Sequence, residues 1–296
     1  MAKVNMAEIK LYPDAIADNR RWANFEPRAD DIYVCTPAKC GTTWTQTIIA
    51  NLIFGGEDLP QPVMQLCPWV EAVFNPEESM FENLSKQTHR RAIKSHCAAD
   101  GIPWFDDAKY IFVGRDARDV FMSMSNHLER MKHIEDMNAL AASEDRPEMP
   151  KYDGDIHAFY DQWMNNSSDF FDIAASYWER RSQDNLLFVH YADLKQDLAG
   201  GVKRIARFLD IELTEPQYQT VTERSSFEYM RNHPEMVGDL EVMFEGGLKG
   251  FIFKGTNGRW RDVLSEEEVG VYKSRAQQWL PNDAIKWLEN GGNIHD

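Results

Sequence analysis

The sequence predicts a single α/β domain, spanning 1–296, with a central parallel sheet flanked by helices and a P-loop-like phosphate-binding loop. Short apolar runs of strand type alternate with longer segments whose apolar residues recur at helical spacing. No internal repeat and no low-complexity linker interrupts this alternation. Such a pattern is typical of a sheet covered by helices on both faces, in which ligands bind at the carboxyl ends of the strands.

The first strand is predicted at 32–35, and a helix follows it at 42–54. In that helix Trp44, Ile48, Ile49, Leu52 and Ile53 form one apolar stripe. Further strands are predicted at 91–94, 110–113 and 186–189, and further helices at 120–131 and about 194–208. The candidate site residues follow the ends of these strands.

Three irregular segments, near 60–85, 130–155 and 232–252, are predicted to be lid or substrate loops. The first is rich in proline and carries Trp69, Phe74 and Phe81. These aromatic side chains suit an apolar pocket for an acceptor molecule. Alternatively, they only pin the loop onto the core, and the sequence favours neither interpretation.

The net charge of −16 argues against a nucleic-acid partner, which would need a basic face. No apolar run reaches the roughly 20 residues that span a bilayer, and no signal-peptide core is present, so we expect a cytoplasmic protein without membrane contact. The four cysteines form no CxxC pair and are predicted to be free thiols, with no metal site. An acidic chain can bind a phosphate-rich ligand only where local cations outweigh its overall charge.

The strongest local pattern is the nonapeptide TPAKCGTTW at 36–44, between a predicted strand and helix. Unpaired N–H groups at a helix start bind phosphate, and Gly41 lets the backbone approach the anion. Thr42 and Thr43 add hydroxyl groups, Lys39 adds a positive charge, and the ring of Trp44 is placed to support a purine. The alternative is an ordinary capped helix with a solvated lysine. A nucleotide triphosphatase loop is disfavoured because the lysine precedes the glycine.

Six ordered segments between residues 25 and 265 resemble the cytosolic sulfotransferases. The nonapeptide resembles the 5′-phosphosulfate-binding segment TYPKSGTTW, and IFVGRDARDVFMS at 111–123 resembles the 3′-phosphate segment. The others are KSH at 94–96, LLFVHYADLKQD at 186–197, SSF at 225–227 with Met230, and FKGTNGRWRDVLS at 253–265. The resemblance implies sulfuryl transfer from 3′-phosphoadenosine 5′-phosphosulfate (PAPS), with 3′-phosphoadenosine 5′-phosphate (PAP) as product and no metal.

The resemblance also implies roles for individual residues. His96, whose unperturbed pKa is about 6.5, is the expected general base for the acceptor hydroxyl or amine. Lys39 and Lys94 are expected to stabilise the leaving phosphate. Ser123 is expected to contact the 3′-phosphate and to hold Lys39 until the acceptor arrives. The implied cofactor-binding residues are Lys39, Cys40, Gly41, Thr42, Thr43, Trp44, Arg115, Ser123, Tyr191, Ser225, Met230, Phe253, Lys254 and Gly255.

Arg115 offers a planar fork suited to the 3′-phosphate, although an ion pair with a neighbouring aspartate is an alternative in RDARD. Phe253 stands where the family usually has an arginine that grips this phosphate. We therefore expect weaker discrimination between PAPS and nucleotides without the 3′-phosphate than a typical member shows, unless Arg259 or Arg261 compensates. Cys40 replaces a common serine, and it matters little if only its N–H is used.

Three other functions compete with the sulfotransferase. A small-molecule kinase would need a Gly-Lys-Ser/Thr loop and a magnesium carboxylate, and neither is evident. A catalytically silent PAP-binding protein would not need His96, Lys39 and Lys94. An acidic scaffold would leave the ordered motifs unexplained. The partner predicted is a small-molecule acceptor; the dimerisation motif of many animal members is not evident, so a homodimer stays open.

Overall fold

A computed structural model describes residues 4–166 and 168–294, with the side chains of 166 and 168 excepted. Its centre is a parallel four-stranded sheet in the order β2-β1-β3-β4. The strands are β1 (Ile32–Cys35), β2 (Ala92–Ser95), β3 (Lys109–Gly114) and β4 (Leu186–His190). Val34 of β1 is level with Lys94 and Ile111 of the two neighbouring strands. The predicted α/β architecture is confirmed.

The two faces of the sheet are buried in different side chains. Successive residues of a strand point to opposite faces. One face is therefore largely aromatic and the other aliphatic. The aromatic face presents Tyr33, Tyr110, Phe112 and Phe188, and the aliphatic face presents Ile32, Val34, Ile111, Val113 and Val189. Strands buried on both faces explain why β1 and β3 read as continuous apolar runs.

The helices of the described chain cover both faces. They are α1 (Thr42–Ile53), α2 (Val63–Leu66), α3 (Glu77–Lys86), α4 (Ala117–Arg130), α5 (Ile134–Ser143), α6 (Ile156–Asn166), α7 (Ser168–Glu179), α8 (Tyr191–Gln196), α9 (Leu198–Phe208), α10 (Glu215–Arg224), α11 (Phe227–Asn232), α12 (Pro234–Val237), α13 (Gly247–Phe251), α14 (Glu266–Trp279) and α15 (Asn282–Asn290). Short 3₁₀ helices occur at Met6–Glu8, Asn19–Asn24 and Arg259–Asp262. Apolar residues of α1, α9 and α10 pack on the aliphatic face, and those of α7 and α15 on the aromatic face.

Most predicted boundaries are correct to within one to three residues. Helix α4 begins at Ala117 rather than 120 because the side chain of Asp116 accepts a hydrogen bond from the Arg118 N–H at 2.9 Å. The helix predicted at 194–208 is two helices. Asp197 separates them and caps α9 through the N–H of Gly200 at 2.8 Å.

The three segments predicted as loops contain helices. The segment 60–85 holds α2 and most of α3, the segment 130–155 holds α5, and the segment 232–252 holds α12 and α13. Pro62 and Pro76 stand at the N-caps of α2 and α3, so these prolines begin helices instead of breaking them. Across residues 4–166 and 168–294, no helix combines the length and apolarity needed to cross a membrane.

Candidate active site

The loop from Thr36 to Gly41 joins β1 to α1 at the carboxyl end of the sheet. Gly41 has a φ of +104°, and a Cβ there would lie 2.8 Å from the Tyr191 ring, so only glycine fits. Lys39 also has a positive φ, +68°. No side chain caps α1. Its first N–H groups are therefore free to bind an anion, as the nonapeptide predicts.

His96 directly follows β2 and is tied to the same loop. Its Nδ1 lies 2.7 Å from the carbonyl oxygen of Thr36. A carbonyl only accepts hydrogen bonds, so Nδ1 carries the proton and the neutral ring keeps its lone pair on Nε2. Burial, with the positive charges of Lys94 and Lys39, holds the pKa of His96 well below its usual value despite the bond to Thr36. The imidazole is thus a neutral proton acceptor.

Lys39 and Lys94 line the same cavity as His96. Burial, followed by repulsion from Lys94 and Arg115, lowers the pKa of Lys39 to about 7. Burial lowers the pKa of Lys94 to about 8, against the opposing effect of Glu71. Two lysines that release protons so easily are suited to a site whose ligand supplies the missing negative charge.

The structure gives the Lys39 side chain a hydrogen-bond partner other than Ser123, namely His127. Its Nζ lies 3.0 Å from Nδ1 of His127, one turn further along α4, and 4.2 Å from the ring centroid of Phe251. Ser123 lines the cavity, consistent with a ligand-facing hydroxyl. Sequence reasoning gave His127 no role because one histidine on an amphipathic helix carries no signal of its own.

Arg115 follows β3 and clamps two segments together. It donates to the carbonyl of Lys39 at 3.1 Å and to Oδ1 of Asn257 at 3.0 Å, and its guanidinium lies 4.2 Å from the Tyr191 ring centroid. The neighbouring Asp116 pairs with Arg118 instead, at 2.8 Å. The alternative ion pair of Arg115 is therefore not formed with Asp116.

Tyr191 and Trp44 form one aromatic corner of the cavity. Their rings meet edge to face at 5.3 Å, and Nε1 of Trp44 donates to the carbonyl of Ser225 at 2.6 Å. Met230 lines the cavity with them. Ser225 itself is fully buried and does not line the cavity, and its carbonyl holds the Trp44 indole.

The segment 253–261 brings further cations to this wall. Phe253, Lys254, Gly255 and Arg259 line the cavity, whereas Arg261 does not and instead stacks on Trp260 at 4.6 Å. Arg259 donates to the carbonyl of Met122 at 3.0 Å. Burial, together with repulsion from Arg115, lowers the pKa of Arg259, so the two guanidinium groups are neighbours. Of the two arginines considered from the sequence, Arg259 is the one that faces the ligand space.

The cavity has a volume of about 1690 Å³, and much of its wall is apolar. Trp69 and Phe74 line it. Phe81 does not, because its ring packs against Phe25 at 6.5 Å. Cys40 does not line the cavity either, and its side chain is fully buried. Methionine and aromatic side chains of later segments complete the wall: Met124, Met131, Met149, Phe159, Phe170, Met243, Phe244 and Phe251.

Sequence reasoning also missed Glu71 and Lys195. Glu71 is buried beside the end of β2, where it accepts hydrogen bonds from Ser95 at 2.5 Å and from Trp22 at 3.1 Å. Burial raises its pKa to about 7. Lys195 lines the cavity and donates to the carbonyl of Gly255 at 2.6 Å. A glutamate in a proline-rich segment and a lysine on a short helix are common surface residues, so neither is evident from spacing.

Among the described residues, no group of three or more His, Cys, Asp or Glu side chains is placed to hold a metal ion. All four cysteines are free and buried, as expected.

The chain is similar to known sulfotransferases. A glycolipid sulfotransferase of Mycobacterium bovis is 29% identical over 98% of this chain and 97% of its own length. Human sulfotransferase 1C2 is 26% identical over 88% of this chain and 86% of its own. Two solved structures share the fold. Mouse sulfotransferase SULT7A1 complexed with PAP has a TM-score of 0.68 at 21% identity, covering 90% of this chain and 89% of its own. Retinol dehydratase in complex with androsterone and inactive cofactor PAP has a TM-score of 0.69 at 20% identity, covering 95% and 92%.

The model of one family, described as the sulfotransferase domain, matches residues 29–283, which is most of the chain. The matched region contains the phosphate loop, His96 and the 253–261 segment. The chain therefore belongs to the sulfotransferase family.

Proposed function

We propose that this protein transfers a sulfuryl group from PAPS to a hydroxyl or amine of a small, largely apolar acceptor. One observation carries the proposal. The neutral His96, with its lone pair on Nε2, is bonded to the loop that bears Lys39 and opens the uncapped helix α1. A proton acceptor, an ammonium group and an anion-binding backbone thus border one cavity.

The residues present fit an adenosine bisphosphate. The Nε of Arg115 is buried without a hydrogen-bond partner in the described chain, and a phosphate oxygen would supply one. Both similar solved structures are named as PAP complexes. The residues that would hold the nucleotide are Lys39, Gly41, Thr42, Thr43, Arg115, Ser123, Lys254, Gly255 and Arg259, with Trp44, Tyr191 and Met230 beside the base and Phe253 next to the cations.

PAPS, when bound, supplies a sulfuryl group joined through a bridging oxygen to a phosphate that can leave. His96 Nε2 accepts the proton of the acceptor group as its oxygen or nitrogen bonds to sulfur and the bond from sulfur to the bridging oxygen breaks. Lys39 and Lys94 neutralise the charge that develops on the departing phosphate. Since both ammonium groups are already in place, little reorganisation is needed when that charge appears.

The wall of the cavity suggests the character of the acceptor. The Trp69 ring packs edge to face against His96, with ring centroids 4.9 Å apart, and Phe74 and several methionines line the same cavity. An apolar molecule with one hydroxyl or amine would bury its body there and present that group to Nε2. The similar mycobacterial protein is named as acting on a glycolipid, which also suits an apolar acceptor.

The decisive experiment measures transfer of labelled sulfate from PAPS to a panel of apolar alcohols, phenols and amines. We expect His96→Ala to lower kcat by about 10²- to 10⁴-fold while PAP still raises the Tm. His157→Ala is the matched control, because His157 is exposed, pairs with Glu268 and is not one of the residues that line the cavity. If the wild type binds PAP but transfers no sulfate, the protein is a silent PAP binder. Transfer of phosphate from ATP would instead identify a kinase.

A further inference from the structure

His127 makes the one side-chain hydrogen bond that the described residues give Lys39, at 3.0 Å between Nδ1 and Nζ. The imidazole is itself held between two aromatic rings. Its centroid lies 4.7 Å from that of Phe244 and 5.7 Å from that of Phe251. Phe251 also lies beneath the Lys39 ammonium, at 4.2 Å. The end of the lysine side chain is therefore fixed by one acceptor and one ring face.

The chemistry of the pair sets the direction of the bond. A charged ammonium has donors only, so Nδ1 of His127 accepts and the ring is neutral. Burial, then the charges of Lys39 and Lys94, keeps the pKa of His127 well below its usual value, which is consistent with a neutral ring. The hydroxyl of Ser123, one turn earlier, could also accept a hydrogen bond, but Lys39 donates to the imidazole instead.

We propose that His127 is a positioning residue that holds the Lys39 ammonium at the mouth of the phosphate loop and so prepares it for the leaving phosphate. This inference rests on the proposed function and deepens it. The backbone of Lys39 is already fixed by its positive φ and by the bond from Arg115 to its carbonyl. His127 fixes the other end of a side chain that would otherwise sample many rotamers.

The position of Nδ1, the atom of His127 that accepts the hydrogen bond, allows a sharp test. The Oδ1 atom of asparagine can take the place of Nδ1, whereas the amide of glutamine reaches to the position of Nε2. Phenylalanine keeps the ring, and the neighbouring Phe244 and Phe251 can pack against it, but it offers no acceptor. We expect His127→Phe and His127→Gln to lower kcat by roughly 3- to 10-fold with little change in PAP affinity, and His127→Asn to restore most of the loss.

A measurement that needs neither PAPS nor an acceptor substrate separates this inference from the proposed function. Lysine ammonium ¹⁵N spectra, recorded in the cold near pH 6, should show a Lys39 signal protected from exchange, identified by its loss in Lys39→Met. We expect the signal in the wild type, His127→Asn and Ser123→Ala, and its loss in His127→Phe and His127→Gln. Backbone spectra and the Tm report whether each variant is folded.

A protected Lys39 signal that survives in His127→Phe, or that disappears in Ser123→Ala instead, would overturn the assignment to His127. If the signals behave as expected but the wild type transfers no sulfate, the proposed function fails and the contact stands.

Discussion

The Lys94 ammonium lies 4.1 Å from the ring centroid of Trp69. The indole of Trp69 also meets the imidazole of His96 edge to face, with ring centroids 4.9 Å apart. Lys94 is on β2 and Trp69 lies in the proline-rich segment, joined to the strand by a hydrogen bond from the Lys94 N–H to the Pro68 carbonyl at 2.9 Å. Trp69 therefore does more than line a pocket, because it contacts both a cation and the proposed general base.

Replacing Trp69 with leucine should lower kcat more than it raises the KM of the acceptor. A cation–π contact of a desolvated lysine contributes about 0.5–2 kcal/mol, which corresponds to roughly a 2- to 30-fold loss of rate. Steady-state kinetics with one acceptor would measure this. Trp279→Leu, on the outer helix α14, is the control. A pure KM effect would show that Trp69 acts only as an acceptor wall.

Arg259 should carry the 3′-phosphate contact that Phe253 cannot make. Calorimetry should show that Arg259→Ala weakens PAP binding about 10-fold, since a charge-assisted hydrogen bond contributes about 1.5–3 kcal/mol. Binding of AMP, which lacks the 3′-phosphate, should change by less than about 2-fold. Arg261→Ala is the matched control, because Arg261 stacks on Trp260 outside the cavity lining. Equal effects of the two variants on PAP binding would refute the assignment of the 3′-phosphate contact to Arg259.

Restoring an arginine at position 253 should increase discrimination between PAP and AMP. The Phe253 ring already lies 4.8 Å from the Arg130 guanidinium and 5.7 Å from that of Arg259. An arginine at position 253 would therefore be repelled by these two cations unless a bound phosphate neutralises them. Phe253→Arg should raise the ratio of AMP to PAP dissociation constants by about 10-fold relative to wild type. Phe253→Leu controls for loss of the ring. An unchanged ratio would mean that the phosphate does not reach this position.

PAP binding should take up protons above neutral pH. In the free protein the pKa of Lys39 is lowered to about 7 and that of Lys94 to about 8, so at pH 8 both are partly neutral. A bound anion favours the charged forms and raises these pKa values, so protonation accompanies binding and affinity falls as the pH rises from 7 to 9. Calorimetry in two buffers of different ionisation enthalpy should show uptake of about one proton at pH 8.

The matching variant is Lys39→Met, which should show less proton uptake and a flatter dependence of affinity on pH. Binding that takes up no protons in the wild type would contradict the lowered lysine pKa values.

Chelators should leave sulfate transfer unaffected. A sulfuryl group carries less negative charge than a terminal phosphoryl group, and Lys39, Lys94 and Arg115 supply cations at the phosphate loop. Turnover measured before and after treatment with EDTA, with magnesium added back as the control, tests this. Reversible loss of activity would show that a metal shares in neutralising the leaving group.

Local patterns were enough to predict the sheet and its loop. β1 and α1 have their predicted limits to within one residue because a buried strand, a glycine and an apolar stripe each leave a direct trace in the sequence. Proline was misleading at Pro62 and Pro76, where it starts helices, since its fixed φ suits a helix start as well as a turn. Motif resemblance placed His96, Lys94, Arg115 and Tyr191 on one cavity.

Residues that contribute through long-range packing could not be predicted. His127 reaches Lys39 only because α4 crosses beside the phosphate loop, and the contact joins positions 88 residues apart. Arg259 and Arg261 differ by two positions, and only the 3₁₀ turn at Arg259–Asp262 decides which one faces the cavity. Phe81 looked equivalent to Trp69 and Phe74, yet its place on α3 turns it towards Phe25.

The two kinds of wall around the cavity come from different parts of the chain. Much of the polar wall lies at the ends of β1, β2, β3 and β4, with Lys254 and Arg259 added by a later segment. Much of the apolar wall comes from segments inserted between strands or after the last of them. Such insertions can exchange side chains without disturbing the registry of the sheet. Related proteins with this fold would therefore keep the same nucleotide while changing the acceptor they use. A library of variants confined to the inserted segments should change acceptor specificity in the same way.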